Sequence, residues 1–261
     1  MPPTDAARLA ALVRAAGAGG TVVFTGAGVS TESGIPDFRS PGGFWTRYAP
    51  IGYRDFMADA AMREESWRRG LHTYGAIVAA APNPAHRAIA AWWRDGLVAG
   101  VVTQNIDGLH QRAGLPDMAV VELHGSAHRV QCLACGALYD RPSVQARILN
   151  GEAVPPCLVC GGILKATTIS FGQPLPPDAV TIAEGLLRRA RLCLIVGSSL
   201  VVYPAAGLPR LTLAAGGSLA VVNATETHLD GLAALVLREP AGQVLDAAAR
   251  ALGATSDERP P

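Results

Sequence analysis

The sequence predicts an α/β fold built on an open parallel sheet. Three observations carry this. Short apolar, β-branched runs recur along the chain with helical stretches between most of them. Each run stops at small or polar residues: GAG, QNID, HG, GSS and N. Two Cys-x-x-Cys pairs sit in a turn-rich stretch that interrupts the alternation and marks an insertion. Hydrophobic residues make up 49% of the 261, against 16% charged, so the chain can bury a large core and is not disordered.

Residues 4–16 read as a helix, capped by Thr4 or Asp5 and ended by Gly17. Residues 21–25 (TVVFT) form the first strand, and Gly26-Ala27-Gly28 follows at once with a possible helix start. Residues 35–48 (IPDFRSPGGFWTRY) offer no second strand and read as an ordered loop. Helices are expected over 55–81 and 84–94, and a second strand over 98–103 ends in Gln104-Asn105-Ile106-Asp107. A third strand, 120–123, ends in His124-Gly125. Residues 126–170 hold the cysteine pairs, and 177–189 are helical. Strands over 192–196 and 219–222 end in Gly197-Ser198-Ser199 and Asn223, and 255–261 read as a frayed tail. In an open parallel sheet, ligands bind outside the carboxyl ends of the strands. Five such ends would meet in one crevice.

A formal charge of +1 argues against a dedicated nucleic-acid binder, which shows a strong basic excess. No stretch approaches the roughly 20 apolar residues that cross a bilayer. The N-terminal residues lack the pattern of a signal peptide, so the expected compartment is the cytoplasm. In that reducing setting Cys132-x-x-Cys135 and Cys157-x-x-Cys160, separated by 21 residues and flanked by glycines, point to tetrahedral zinc. Four thiolates leave no open position, which makes the site structural. Cys193, inside an apolar strand, reads as an inert buried thiol.

Glycines after a strand let the backbone approach a pyrophosphate, so Gly26 and Gly28 are candidates for a nucleotide site. The dehydrogenase fingerprint wants glycine where Thr31 stands and an acid at the end of a second strand near residue 50; neither is present. Amides and a carboxylate in Gln104-Asn105-Ile106-Asp107 can hold ribose hydroxyls, a water and a carboxamide, or simply cap a polar loop. His124 at a strand end is either structural or a general base, since neutral imidazole works near neutral pH. His72, His86, His110, His128 and His228 take the structural reading.

Taken together, GAGVSTESGIPDFRS, PNPAH, TQNIDGLH, ELHG, the four paired cysteines, FGQPLP, GSSLVVYP and VN resemble the sirtuins, NAD-dependent protein-lysine deacylases. The resemblance implies a Rossmann-like domain of residues 1–35, 76–125 and 171–254. A smaller domain would combine a helical insertion, 36–75, with a zinc-ribbon insertion, 126–170. It implies NAD as consumed co-substrate, one structural zinc and acyl-lysine proteins as partners. Cofactor roles fall on Gly26, Ala27, Gly28, Asp37, Phe38, Arg39, Gln104, Asn105, Ile106, Asp107, Gly197, Ser198, Ser199 and Asn223. Phe171-Gly172 and Val202-Tyr203 would pair with the substrate peptide as extra strands. In the implied reaction the acyl oxygen attacks C1′ of the nicotinamide ribose. His124 would be general base and Asn105 would orient the ribose and a water. The products would be nicotinamide, free lysine and O-acyl-ADP-ribose.

Two details depart from the pattern. Ala166-Thr167 stand where many members have Pro-Asp, and Gln173 where they have an acid. Members favouring acidic acyl groups carry Tyr-x-x-Arg in the helical insertion. No tyrosine here has arginine three positions later, which argues against desuccinylation as the main activity. Protein mono-ADP-ribosyl transfer and a non-catalytic NAD or ADP-ribose sensor are the alternatives.

Overall fold

The computed structural model describes residues 4–37, 43 and 48–253. Helix α1 (Asp5–Ala16) is capped by Thr4, whose hydroxyl accepts from the Ala7 N–H at 3.3 Å, and Gly17 ends it at φ +69°. Strand β1 (Thr21–Thr25) is buried along its whole length, and a 3₁₀ turn over Ala27–Ser33 follows it. Helices α2 (Tyr53–Ala58) and α3 (Ala60–Ala79) divide the helical stretch expected over 55–81. Helix α3 runs unbroken through residues 75 and 76, where the sequence reading drew a domain boundary.

Helix α4 (Pro84–Arg94) starts with proline in its first turn and a capping box between Asn83 and His86. Strand β2 (Val98–Thr103), a one-turn helix α5 (Leu109–Arg112) and strand β3 (Val120–Glu122) follow. Then come β4 (Arg129–Cys132), β5 (Leu138–Asp140), α6 (Arg141–Leu149) and β6 (Leu164–Ala166). The chain closes with α7 (Pro177–Arg189), β7 (Leu192–Val196), α8 (Arg210–Ala214), β8 (Ser218–Val222), β9 (Leu235–Leu237) and α9 (Ala241–Leu252).

Six strands pair in parallel in the order β3-β2-β1-β7-β8-β9, the doubly wound arrangement of a Rossmann-like domain. Side chains alternate between two cores. Val23, Val101, Leu194 and Ala220 face the side covered by α1, α4 and α9. Val22, Phe24, Ile195 and Leu219 face the side covered by α7. Burial on both faces is why these strands are continuous apolar runs. The sixth strand, β9, has only three residues, too few to show a period, and the sequence reading did not include it.

A second, antiparallel sheet of order β5-β4-β6 lies within residues 129–166. Trp67 of α3 shares its core with Val130, Cys132, Val144, Cys157 and Leu164, so the helical and cysteine-bearing insertions pack as one layer. Tyr74 and Ile77 of α3 cluster with Ala127, against Ile35 and Ile106, and this joins that layer to the large sheet.

Candidate active site

The strand order reverses between β1 and β7, and the crevice opens there. The loops after these two strands press together. The Gly28 N–H donates to the Gly197 carbonyl at 2.8 Å, and the Gly26 N–H to Val196 at 3.1 Å. A Cβ on Gly28 would lie 2.8 Å from the Gly197 Cα. One on Gly197, at φ +61°, would lie 2.1 Å from the Val29 nitrogen. No side chain fits at either position, and that leaves a backbone-lined cradle suited to a dinucleotide.

A cleft of about 1140 Å³ runs from this cradle to the smaller layer. Gly26, Ala27, Gly28, Asp37, Gln104, Asn105 and Ile106 line it, with Gly197, Ser198, Ser199 and Asn223. Phe171, Gly172, Val202 and Tyr203 line it as well, and Phe171 and Tyr203 stand exposed at its rim. The Phe171 carbonyl already accepts from the Tyr53 N–H at 2.8 Å. Phe38 and Arg39 lie outside the described residues. Gln104 ties β2 to β7 through its side-chain N–H donated to Ser198 Oγ at 2.8 Å.

His124 stands at the end of β3 and lines the cleft. Its Nδ1 lies 2.9 Å from the Gln104 carbonyl, which can only accept, so Nδ1 carries the proton and Nε2 is left as a lone pair. Burial lowers its pKa below the ordinary 6.5, and the bond to Gln104 opposes that shift. The imidazole is therefore neutral at pH 7, the state a base needs.

Asn105 and Asp107 are buried, and Asp107 sits behind the cleft wall. Ser30 joins them: its hydroxyl donates to Asp107 Oδ2 at 2.8 Å and accepts from Asn105 Nδ2 at 3.1 Å. The other Asp107 oxygen accepts from the Leu109 N–H at 2.9 Å. His128 Nε2 donates to the Asp107 backbone carbonyl at 2.9 Å, and His86 Nε2 lies 3.5 Å from Ser30 Oγ. The sequence reading gave Ser30 no role and His128 a structural one. Ser30 lies inside the quoted GAGVS run, but nothing local shows that it reaches residues 75 and 77 positions away.

The four Sγ atoms of Cys132, Cys135, Cys157 and Cys160 lie within 4.8 Å of one another. Two of the separations are 3.5 Å and 3.7 Å, close to the edge of about 3.8 Å expected for thiolates around tetrahedral zinc. A Cβ on Gly162 would meet Ala134, Cys132 Sγ and Cys160 Sγ at 2.8 to 3.1 Å, so glycine is needed beside the cluster. The donor set fits zinc and lies apart from the residues lining the cleft. Cys193 is fully buried, and burial pushes its thiol up, which fits an inert side chain.

A model of the Sir2 family matches residues 26–204. NAD-dependent protein deacetylase 1 of Bradyrhizobium diazoefficiens is 46% identical over 224 residues, 86% of this chain and 88% of that protein. NAD-dependent protein deacetylase 2 of Streptomyces coelicolor is 45% identical, covering 88% of this chain and 97% of its own. A solved Sir2 structure with a p53 peptide and NAD+ superposes with a TM-score of 0.85 at 37% identity, over 94% of this chain and 98% of that one.

Proposed function

The chain belongs to the Sir2 family and is an NAD-dependent protein deacylase, and we propose that His124 is its general base and acyl-lysine its substrate group. The observation that carries the base assignment is the Nδ1 contact to Gln104, which fixes the tautomer and leaves Nε2 unprotonated in the cleft. NAD, when bound, would supply an electrophilic ribose carbon to the acyl oxygen of the lysine, and acyl-lysine, NAD and water would together leave as free lysine, nicotinamide and O-acyl-ADP-ribose.

This chain's residues do the rest. Gly26, Gly28 and Gly197 leave backbone room for the diphosphate. His124 Nε2 takes a proton from a ribose hydroxyl. Asn105, held by Ser30, orients the ribose and a water. The carboxamide is assigned to Ile106, on the cleft wall, and to Asp107 just behind it. Gln104, Ser198, Ser199 and Asn223 contact the remaining cofactor, with Ala27, Asp37, Phe38 and Arg39. Phe171-Gly172 and Val202-Tyr203 offer strand edges to the substrate backbone, a recognition mode that tolerates varied sequences. Zinc held by the four cysteines keeps β4, β5 and β6 in place and takes no part in the chemistry.

No helix among the described residues is long and apolar enough to cross a membrane. We place the protein in the cytoplasm, and its near-neutral charge supports action on proteins and not on nucleic acid.

Incubation with NAD and an acetyl-lysine peptide, with His124→Ala in parallel, tests the reading by mass spectrometry. Nicotinamide, free-lysine peptide and O-acetyl-ADP-ribose are expected from the unaltered protein and not from the variant. A peptide that gains the mass of an ADP-ribosyl group would instead establish the transferase alternative.

A further inference from the structure

The strip of chain that leaves β6 separates two cavities. Lys165, Ala166, Ile169, Gln173 and Leu175 line the cleft on one side. On the other they line a second hollow of about 640 Å³, shared with residues of β3, β4 and α7. A wall with open space on both sides has little packing to hold its shape, so its hydrogen bonds must do so. Those bonds converge on one peptide unit. The Ile169 N–H donates to the His124 carbonyl at 2.9 Å. The Thr168 carbonyl, in the same peptide unit, accepts from the Lys165 ammonium. In a planar trans peptide the C=O and N–H point opposite ways, so this unit is gripped from both edges.

The same ammonium donates to the Ala166 carbonyl at 3.3 Å and lies 5.9 Å from the centre of the Phe56 ring in α2. Further along, the Phe171 carbonyl accepts from the Tyr53 N–H at the start of α2. Lys165 thus holds the beginning of the strip and α2 its middle. Lysine is an unusual choice for this place. It is the one lysine among 22 basic residues, and it is 5% exposed. Its hydrogen-bond partners among the described residues are carbonyls and not carboxylates. Burial pushes it down to about 8, so most of it is still charged at pH 7. A buried charge is tolerated where hydrogen bonds satisfy it, and here the strip's own carbonyls do that. Ala166 has no ring to fix φ. Thr167 is held from the far side, where its hydroxyl donates to the Ser126 carbonyl at 3.0 Å.

We propose that Lys165 is a positioning residue for the protein substrate. By holding the peptide unit between Thr168 and Ile169, it sets the angle at which Phe171-Gly172 offers its backbone to the acyl-lysine segment. The proposal rests on the deacylase reading and on that strand edge as the docking line. Lys165 acts through the strip's carbonyls, whereas the diphosphate cradle of Gly26, Gly28 and Gly197 lies on other loops. The base is held separately too, through the contact of His124 Nδ1 with the Gln104 carbonyl. Loss of the ammonium should therefore weaken peptide binding and spare NAD.

Three variants test this. Lys165→Met keeps an unbranched stem and removes the donors, Lys165→Gln supplies neutral donors, and Lys165→Arg restores charged ones. Each is assayed for turnover of an acetyl-lysine peptide, for thermal unfolding, and for hydrogen–deuterium exchange over residues 166–173. In Lys165→Met the peptide KM should rise about tenfold or more while the KM for NAD stays within about twofold. The strip should exchange about tenfold faster, with the amides of β4 unchanged. Lys165→Arg should bring the peptide KM back to within about threefold of the unaltered protein, with Lys165→Gln in between. An unchanged peptide KM in Lys165→Met overturns the proposal. So does a rise of both KM values together with a lower melting temperature, the mark of a merely structural lysine. Should Lys165→Met fail to fold, Lys165→Gln and Lys165→Arg decide by the same split between the two KM values. Absence of turnover by the unaltered protein would sink the deacylase reading. Exchange over the strip would then decide the role of Lys165 alone, and an unchanged rate in Lys165→Met would refute its hold on that peptide unit.

Discussion

The cradle at the sheet's switch point makes a demanding prediction for Gly28→Ala. The new Cβ would stand 2.8 Å from the Gly197 Cα, 2.9 Å from its oxygen and 3.1 Å from its carbonyl carbon. All three are backbone atoms of a loop tied back to Gly28 by a 2.8 Å hydrogen bond, so none can swing aside. Reaching an ordinary contact of 3.4 Å requires the two loops to part by about 0.6 Å. Overpacking of this kind costs about 1–3 kcal/mol. In a chain of this size that lowers the melting temperature by roughly 2–12 °C. The parted loops also displace the dinucleotide, so the KM for NAD should rise about tenfold or more. Gly75→Ala is the control: Gly75 lies in the exposed middle of α3 with nothing within 4 Å of its Cβ position. That change should stabilise by about 0.5–1 kcal/mol and leave the KM unchanged. Thermal unfolding and initial rates at varied NAD decide the matter. A Gly28→Ala protein with unaltered melting temperature and KM would refute the claim that contact between these loops builds the site.

Removing the base, His124→Ala, should lower kcat/KM about 10²- to 10⁴-fold while calorimetry still finds NAD binding. Because burial lowers the His124 pKa and the base acts when neutral, kcat/KM should climb with pH with its midpoint below 6.5; an apparent pKa above 7 would contradict the assignment. His110 is fully buried and held down to about 4 by desolvation, which outweighs the favourable charge of Asp107. The unfolded chain therefore takes up this proton first, and stability that is complete above pH 6.5 is lost as pH falls, by roughly 2 kcal/mol at pH 5. Melting curves between pH 7.5 and 5 should show a shallower dependence in His110→Gln. Stripping zinc with a chelator should loosen the core that Cys132 and Cys157 share with Trp67, seen as a change in tryptophan fluorescence. Cobalt substituted at the four thiolates should retain turnover, whereas loss of turnover on that exchange would give the metal a catalytic part.

What could be read from sequence follows from how far each signal reaches along the chain. The strands 21–25, 98–103 and 192–196 are recovered to the residue because burial on both faces makes each an unbroken apolar run. Helix α4 is recovered equally well, since Asn83, Pro84 and Arg94 punctuate it locally. The cysteine cluster is legible from spacing, but the elements that hold it are not. Strands β4, β5 and β6 have three or four residues each, and the one helix among them, α6, carries Arg141 on a face that looks like an ordinary surface. The same limit governs the site. His124, Asn105 and the glycines stand at strand ends, where sequence places them on one edge of the sheet. Ser30 bridging Asn105 and Asp107 is a tertiary fact, and so is Arg141 lying between Trp67 and Tyr74. Both depend on elements that meet only after folding, and their neighbours in the chain leave no mark of it. The parts of the site that stand at strand ends are therefore the parts local sequence can announce.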